Sequence, residues 1–174
     1  MKTWLAFLMV LISGCARIPD NVQAVKGVNA QRYLGTWYEI ARLDHSFERG
    51  LSNVSATYTL RKDGGIKVLN KGYDTKRKKW KQAEGKAYFV AGTEVGRLKV
   101  SFFGPFYGGY NIIDLDKKDY SYSLVCGPNF SYLWILARDK KLGGETLSKL
   151  INEAKNLGFE TGKLIFVKQS DQKP

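Results

Sequence analysis

One imidazole, His45, follows Asp44, and two thiols, Cys15 and Cys126, complete the strongest nucleophiles and metal ligands in a chain of 174 residues. One His and two Cys are too few for a four-ligand zinc site, so neither a metal nor a cofactor is expected. A hydrolytic triad would have to run through His45. Adjacent residues on a strand point to opposite faces, which separates Asp44 from that ring. Neither a nucleophile elbow nor a phosphate-cradling glycine loop is present, so no enzyme activity is expected. A lipid-modifying enzyme acting through His45 is the alternative. Charge is the stronger signal: 28 Lys and Arg oppose 16 Asp and Glu, a net +12. That balance points to an anionic partner, lipid or nucleic acid. Lys76, Arg77, Lys78 and Lys79, followed by Trp80, could serve either, although such a turn is also ordinary solvated surface.

The N-terminus decides between these partners. Lys2 precedes an unbroken apolar run from Trp4 to Ile12, nine residues long, whereas a bilayer-spanning helix needs about 20. The run has the length and basic start of a secretory signal peptide. It ends in Ser13-Gly14-Cys15, which resembles the bacterial lipobox. The resemblance implies cleavage after residue 14, with a diacylglycerol on the Cys15 thiol and an acyl chain on its amine. Several acyl chains hold a protein firmly on a membrane. Ala16 and Arg17, with no Asp, resemble the sorting signal for the outer membrane, here expected on its periplasmic face. An exported lipoprotein rarely meets nucleic acid, so lipid is the expected partner. Lipidation leaves Cys126 alone in an apolar run, as a small core residue.

Residues 15–32 lack periodicity and read as a lipidated tether; 33–174 read as one domain. From Tyr33 onward, short β-rich segments alternate with turns. Val54, Ala56, Tyr58 and Leu60 fall on one strand face, and Asp63-Gly64 marks a hairpin turn. Continuing gives strands at 35–43, 54–61, 66–73, 80–90, 97–102, 110–115, 120–126 and 131–138. Eight sequential strands with short connections pair antiparallel and can close into an all-β, up-and-down barrel over 33–139. The period then changes: Leu147, Leu150, Ile151, Ala154 and Leu157 predict an amphipathic helix over about 144–158, packed outside the barrel. Glu145 and Lys149 would pair on its solvent side. A last strand is expected near 163–168.

Three motifs within this series resemble those of the lipocalin family. Gly35-Thr36-Trp37 is similar to its G-x-W motif. Asp116 resembles the Asp of T-D-Y, with Leu115 and Lys117 in place of Thr and Tyr. Arg138 resembles the Arg of the third motif. The likeness covers the whole mature chain and, with the lipobox, is greatest to bacterial outer-membrane lipocalins. It implies that Gly35, Trp37, Asp116 and Arg138 form a structural floor, with the Arg guanidinium on the Trp face.

If Gly35 starts at the floor, the connections near 44–52, 74–79, 103–108 and 127–130 meet at the mouth. That rim carries Phe47, Phe103, Phe106, Tyr107 and Phe130 together with Lys76 to Trp80. Parity from Trp37 and Arg138 turns Glu39, Ala41, Tyr132, Trp134 and Leu136 toward the axis. Val54, Ala56 and Tyr58 join them, as do Leu98, Val100 and Phe102. Such walls suit one small apolar ligand, although any small barrel must also be filled. Glu39 is the odd carboxylate in this cup, expected to pair with a nearby Tyr or Arg more readily than with ligand. The expected function is storage or transport of fatty acids or phospholipid-like amphiphiles in membrane maintenance, with a homodimer left open.

Overall fold

Short connections leave each strand beside its neighbour in sequence, and the computed structural model shows where that pairing closes. It describes residues 16–170; the signal peptide expected over 1–14 and the lipid site expected at Cys15 lie outside the described residues. Eight antiparallel strands follow one another: β1 (Gly35–Arg42), β2 (Leu51–Leu60), β3 (Ile66–Asp74), β4 (Lys79–Phe89), β5 (Arg97–Phe103), β6 (Phe106–Leu115), β7 (Tyr122–Cys126) and β8 (Leu133–Ala137). β1 pairs with both β2 and β8, which closes the barrel. Helix α1 (Ala30–Tyr33) precedes β1, α2 (Gly144–Asn156) follows β8, and β9 (Ile165–Phe166) comes last. β2 and β6 begin earlier than strand propensity suggests, at Leu51 and Phe106.

Two apolar clusters separate the faces of the wall. Trp37, Tyr58, Val68, Ala87, Leu98, Ile112, Val125 and Leu136 pack together inside the barrel. Ile40, Ala41, Leu124, Leu133, Ile135 and Ala137 face outward against Leu150 and Ala154 of α2, with Cys126 buried among them. A β-bulge sets the division on β1. Glu39 stands opposite Leu136 but Ala41 opposite Ile135, so Ile40 is an extra residue. Strand alternation reverses past a bulge. Ala41, expected inside the cup, therefore lies under the helix, and Arg42 points inward instead. Lys149 also departs from expectation. It reaches back to Asp114 at 3.2 Å and donates to the Tyr122 hydroxyl, fastening α2 to the wall.

The segment read as a tether lies along the barrel. Val25 donates to the Ile112 carbonyl at 2.9 Å and accepts from Gly96 at 2.8 Å, and Val28 donates to the Glu94 carbonyl. Arg97 holds the Ala16 carbonyl and Asn111 the Arg17 carbonyl. Val22 and Val28 are buried. Backbone hydrogen bonds fix this strap, and they leave no hydrophobic period to read. At the other terminus, β1 pairs with β2 only over Gly35–Tyr38 and then with β9 at Ala41 and Arg42. Asn53 donates to the Lys168 carbonyl, and Gln169 bridges the carbonyls of Glu39 and Val54. The tail thus seals the seam where β1 and β2 part.

A side chain added at Gly109 would run into the Arg17 carbonyl. Gly109→Val is expected to lift the strap and lower stability by about 1–3 kcal/mol, measured by urea unfolding. A variant as stable as the parent would show that the strap contributes nothing.

Candidate functional site

At the floor, the Arg138 guanidinium stacks 3.9 Å over the Trp37 ring and donates to the Thr36 and Arg32 carbonyls. Gly35 has φ +93°, and a Cβ there would lie 3.2 Å from Arg138 Nη1. Only glycine meets both demands without strain. Asp116 accepts from the backbone of Lys118, Asp119 and Ser121 and from the Ser121 hydroxyl, which ties the β6–β7 turn. Above the floor, Tyr33 bonds to Tyr110 at 2.8 Å and to Ser123 at 3.1 Å, and Tyr58 to Tyr110 at 3.0 Å. Burial pushes all three phenols above their ordinary range, Tyr33 to about 12. They are neutral donors and acceptors in an otherwise apolar interior.

Val54, Ala56, Tyr58, Leu98, Val100, Phe102, Trp134 and Leu136 lie on the inward side of their strands, as does Glu39. Glu39 is paired: Arg42 Nη1 donates to its Oε1 at 2.7 Å, with both side chains buried. Arg42 Nη2 donates to the Glu48 carbonyl at 2.8 Å, and the Trp134 indole N–H donates to Glu48 Oε2 at 3.0 Å. His45 is 4% exposed, with its ring centroid 5.2 Å from Phe47, 5.0 Å from Tyr132 and 4.7 Å from Trp134. Residues 43–50 thus fold back into the mouth. A hollow of about 400 Å³ lies at the floor, lined by Val28, Leu34, Leu60, Ile66 and Phe89. Among the described residues no cluster of three or more metal-binding side chains forms.

Arg42 and Glu48 escape strand alternation because one follows a bulge and the other sits in a loop. The signal for Arg42 was Glu39 itself, since a carboxylate in an apolar cup requires a cation. Burial raises the Glu39 carboxyl to about 8, reinforced by the Glu48 charge and opposed by Arg42. Burial raises Glu48 too, against its bond from Trp134. Two carboxyls around one buried guanidinium hold a proton through neutrality. Burial, followed by the charge of Arg42, lowers His45 to about 4, so its ring is neutral there.

The rim is divided in orientation. Phe103 and Phe106 are 82% and 78% exposed at the β5–β6 tip, and Phe47 is exposed on the inward loop. Lys76, Arg77, Lys78 and Lys79 are exposed around the β3–β4 turn. Trp80 and Tyr107, expected at the opening, face the outer wall. Trp80 packs edge-on against Tyr73, and Tyr107 lies under the Lys99 ammonium. Phe130 is drawn aside onto Phe159, ring centroids 5.0 Å apart.

The same arrangement recurs in known proteins. Residues 28–169 match the family model of a lipocalin-like domain. The chain is 53% identical over 166 residues to the outer membrane lipoprotein Blc of Vibrio cholerae, covering 95% of this chain and 97% of that protein. It is 53% identical over 164 residues to the outer membrane lipoprotein Blc of Escherichia coli K12, covering 94% and 92%. Among solved structures, insecticyanin from the tobacco hornworm Manduca sexta superposes with a TM-score of 0.71 at 19% identity, covering 89% of this chain and 88% of that one.

The buried cluster sets a pH dependence. Folding raises the Glu39 pKa from 4.5 to about 8, so the folded chain binds more protons across that window and its stability falls as pH rises. His45, lowered from 6.5 to about 4, acts oppositely, but only between those values. Above pH 6.5 the carboxyls act alone. Unfolding free energy is expected to drop by up to about 1.4 kcal/mol per pH unit toward pH 8. Glu39→Gln should flatten that slope in urea titrations; an unchanged slope would refute the assignment.

Proposed function

The chain belongs to the lipocalin family, and from that premise we propose that it is an outer-membrane lipoprotein that binds lipid without chemical turnover. Its ligands are fatty acids or phospholipid-like amphiphiles, stored or carried in membrane maintenance. The observation that carries this is the inner face of the barrel, where Ala56, Leu98, Val100, Phe102 and Leu136 stack below a rim of exposed Phe and Lys. Each buried methylene of an acyl chain contributes about 0.8 kcal/mol. A run of such methylenes supplies affinity without any specific polar contact. Lys76, Arg77, Lys78 and Lys79 attract an anionic head group or membrane surface. Asp74 already matches Lys81 at 2.8 Å and lies 4.0 Å from Arg77 Nε.

Acylation at Cys15 would place the anchor one residue before Ala16, whose carbonyl is held by Arg97 on the outer wall. The names of the relatives support the outer membrane as its location. The strap then leaves little slack, so the barrel stays close to the periplasmic face of that membrane. His45, neutral and stacked among aromatic rings, has no hydroxyl or thiol nucleophile bonded to it among the described residues. That arrangement favours a carrier over a lipid-modifying enzyme.

Native mass spectrometry of the purified protein should show co-purified lipid, with one amphiphile per chain. Added fatty acid should quench the fluorescence of Trp134. Absence of both bound lipid and quenching would overturn the carrier assignment.

A further inference from the structure

The loop of residues 44–50 turns His45 and Glu48 into the mouth of the barrel. Arg42 and Trp134 are carried on β1 and β8, opposite each other in register. Between them sits Glu48, 8% exposed, taking the indole N–H on its carboxyl and the guanidinium on its carbonyl. Arg42 Nε has no hydrogen-bond partner among the described residues, although it is buried. One step deeper the wall turns apolar, with Leu136 opposite Glu39 and Ala56 opposite Trp37. Donors fixed in strands thus stand at the head of an apolar column, and the acceptor that fills them comes from a loop.

From Asp44 to Gly50 the loop makes no strand pairing with the wall. Leu43 is fixed to the wall by its bond to the Leu133 carbonyl; beyond it the backbone is tied by local turns, Glu48 to His45 and Leu51 to Glu48, by the Thr75 N–H and hydroxyl on the Gly50 carbonyl, and by Arg42 on the Glu48 carbonyl. Gly50 has φ +76° and open space around it. Its aromatic hold is His45, stacked on Tyr132 and tilted against Trp134.

We propose that Arg42 and Trp134 form a subsite for the carboxylate of a long-chain amphiphile, and that Glu48 fills it as an internal plug until the ligand displaces it. This rests on the lipid-binding function proposed above and adds the chemical class of the head group. Charge favours the exchange. With the proton of the pair on Glu39, the ligand carboxylate replaces that of Glu48 beside Arg42 and leaves the charge there unchanged, while Glu48 returns to water. A chain of equal length ending in an alcohol brings no charge and leaves Arg42 with Glu39 alone.

Equilibrium binding of radiolabelled palmitate and hexadecanol tests the subsite. Palmitate is expected to bind at least about tenfold more tightly than the alcohol, the range of a charge-assisted hydrogen bond. Glu48→Ala removes the plug and should tighten palmitate by about tenfold or more. Trp134→Phe keeps the ring, loses the donor and should narrow the preference for palmitate; Arg42→Met should abolish it if that variant folds. Equal binding of the two amphiphiles, or weaker palmitate binding by Glu48→Ala, would overturn the subsite and leave the lipid carrier standing. Failure of the parent and of Glu48→Ala to bind either compound would overturn both.

Discussion

Taking a guanidinium out of water costs several kcal/mol unless its charge and hydrogen bonds are returned, and Arg42 is 1% exposed inside the barrel. The upper half of the molecule is organised around that cost. The bulge at Ile40 turns Arg42 inward on the same side as Glu39, which accepts its hydrogen bond and shares with Glu48 the one negative charge that balances it. Without the bulge, Arg42 would enter the apolar layer under α2 and Ala41 would face the ion. The second amino group needs an acceptor, and the loop after β1 brings one in the Glu48 carbonyl. The covered mouth, the outward layer for the helix and the buried ion pair are therefore one solution to one problem.

The floor solves its electrostatics differently. Arg138 remains partly exposed and is held by a ring face and two carbonyls, with no carboxylate among those contacts. Beside it, Tyr33, Tyr58 and Tyr110 satisfy one another as neutral groups. Hydroxyl networks of this kind carry no charge to compensate, so they fix a core without a counter-ion. One end of the barrel is closed by geometry that pH leaves alone, and the other by groups whose protonation matters.

Local pattern made much of this legible. Val54, Ala56, Tyr58 and Leu60 marked β2, Asp63-Gly64 its turn, and the shift to helical spacing after Glu145 marked α2. Gly35, Trp37 and Arg138 could be paired because the motif spacing survives intact. What stayed hidden shares a cause: it departs from periodicity. Bulges insert a residue without any compositional mark, which misplaced Ala41 and concealed Arg42. The strap over residues 16–29 is held through its backbone, to which side-chain identity is almost silent. The inward turn of Glu48 depends on Arg42 and Trp134, 6 and 86 residues away, and no local window contains them all.

The tail in the β1–β2 seam also governs when the molecule can form. Closure joins Tyr38 to Ala137, and the seam joins Arg42 to Ile165, contacts that span most of the chain. Pairings of such high contact order form late and on the slow side of the folding scale. β1 emerges early in synthesis, yet one flank waits for β8 and its upper half on the other flank waits for β9. The consecutive hairpins from β2 to β8 can form one after another as they are made, but the barrel itself can shut only when both ends of the sheet are present.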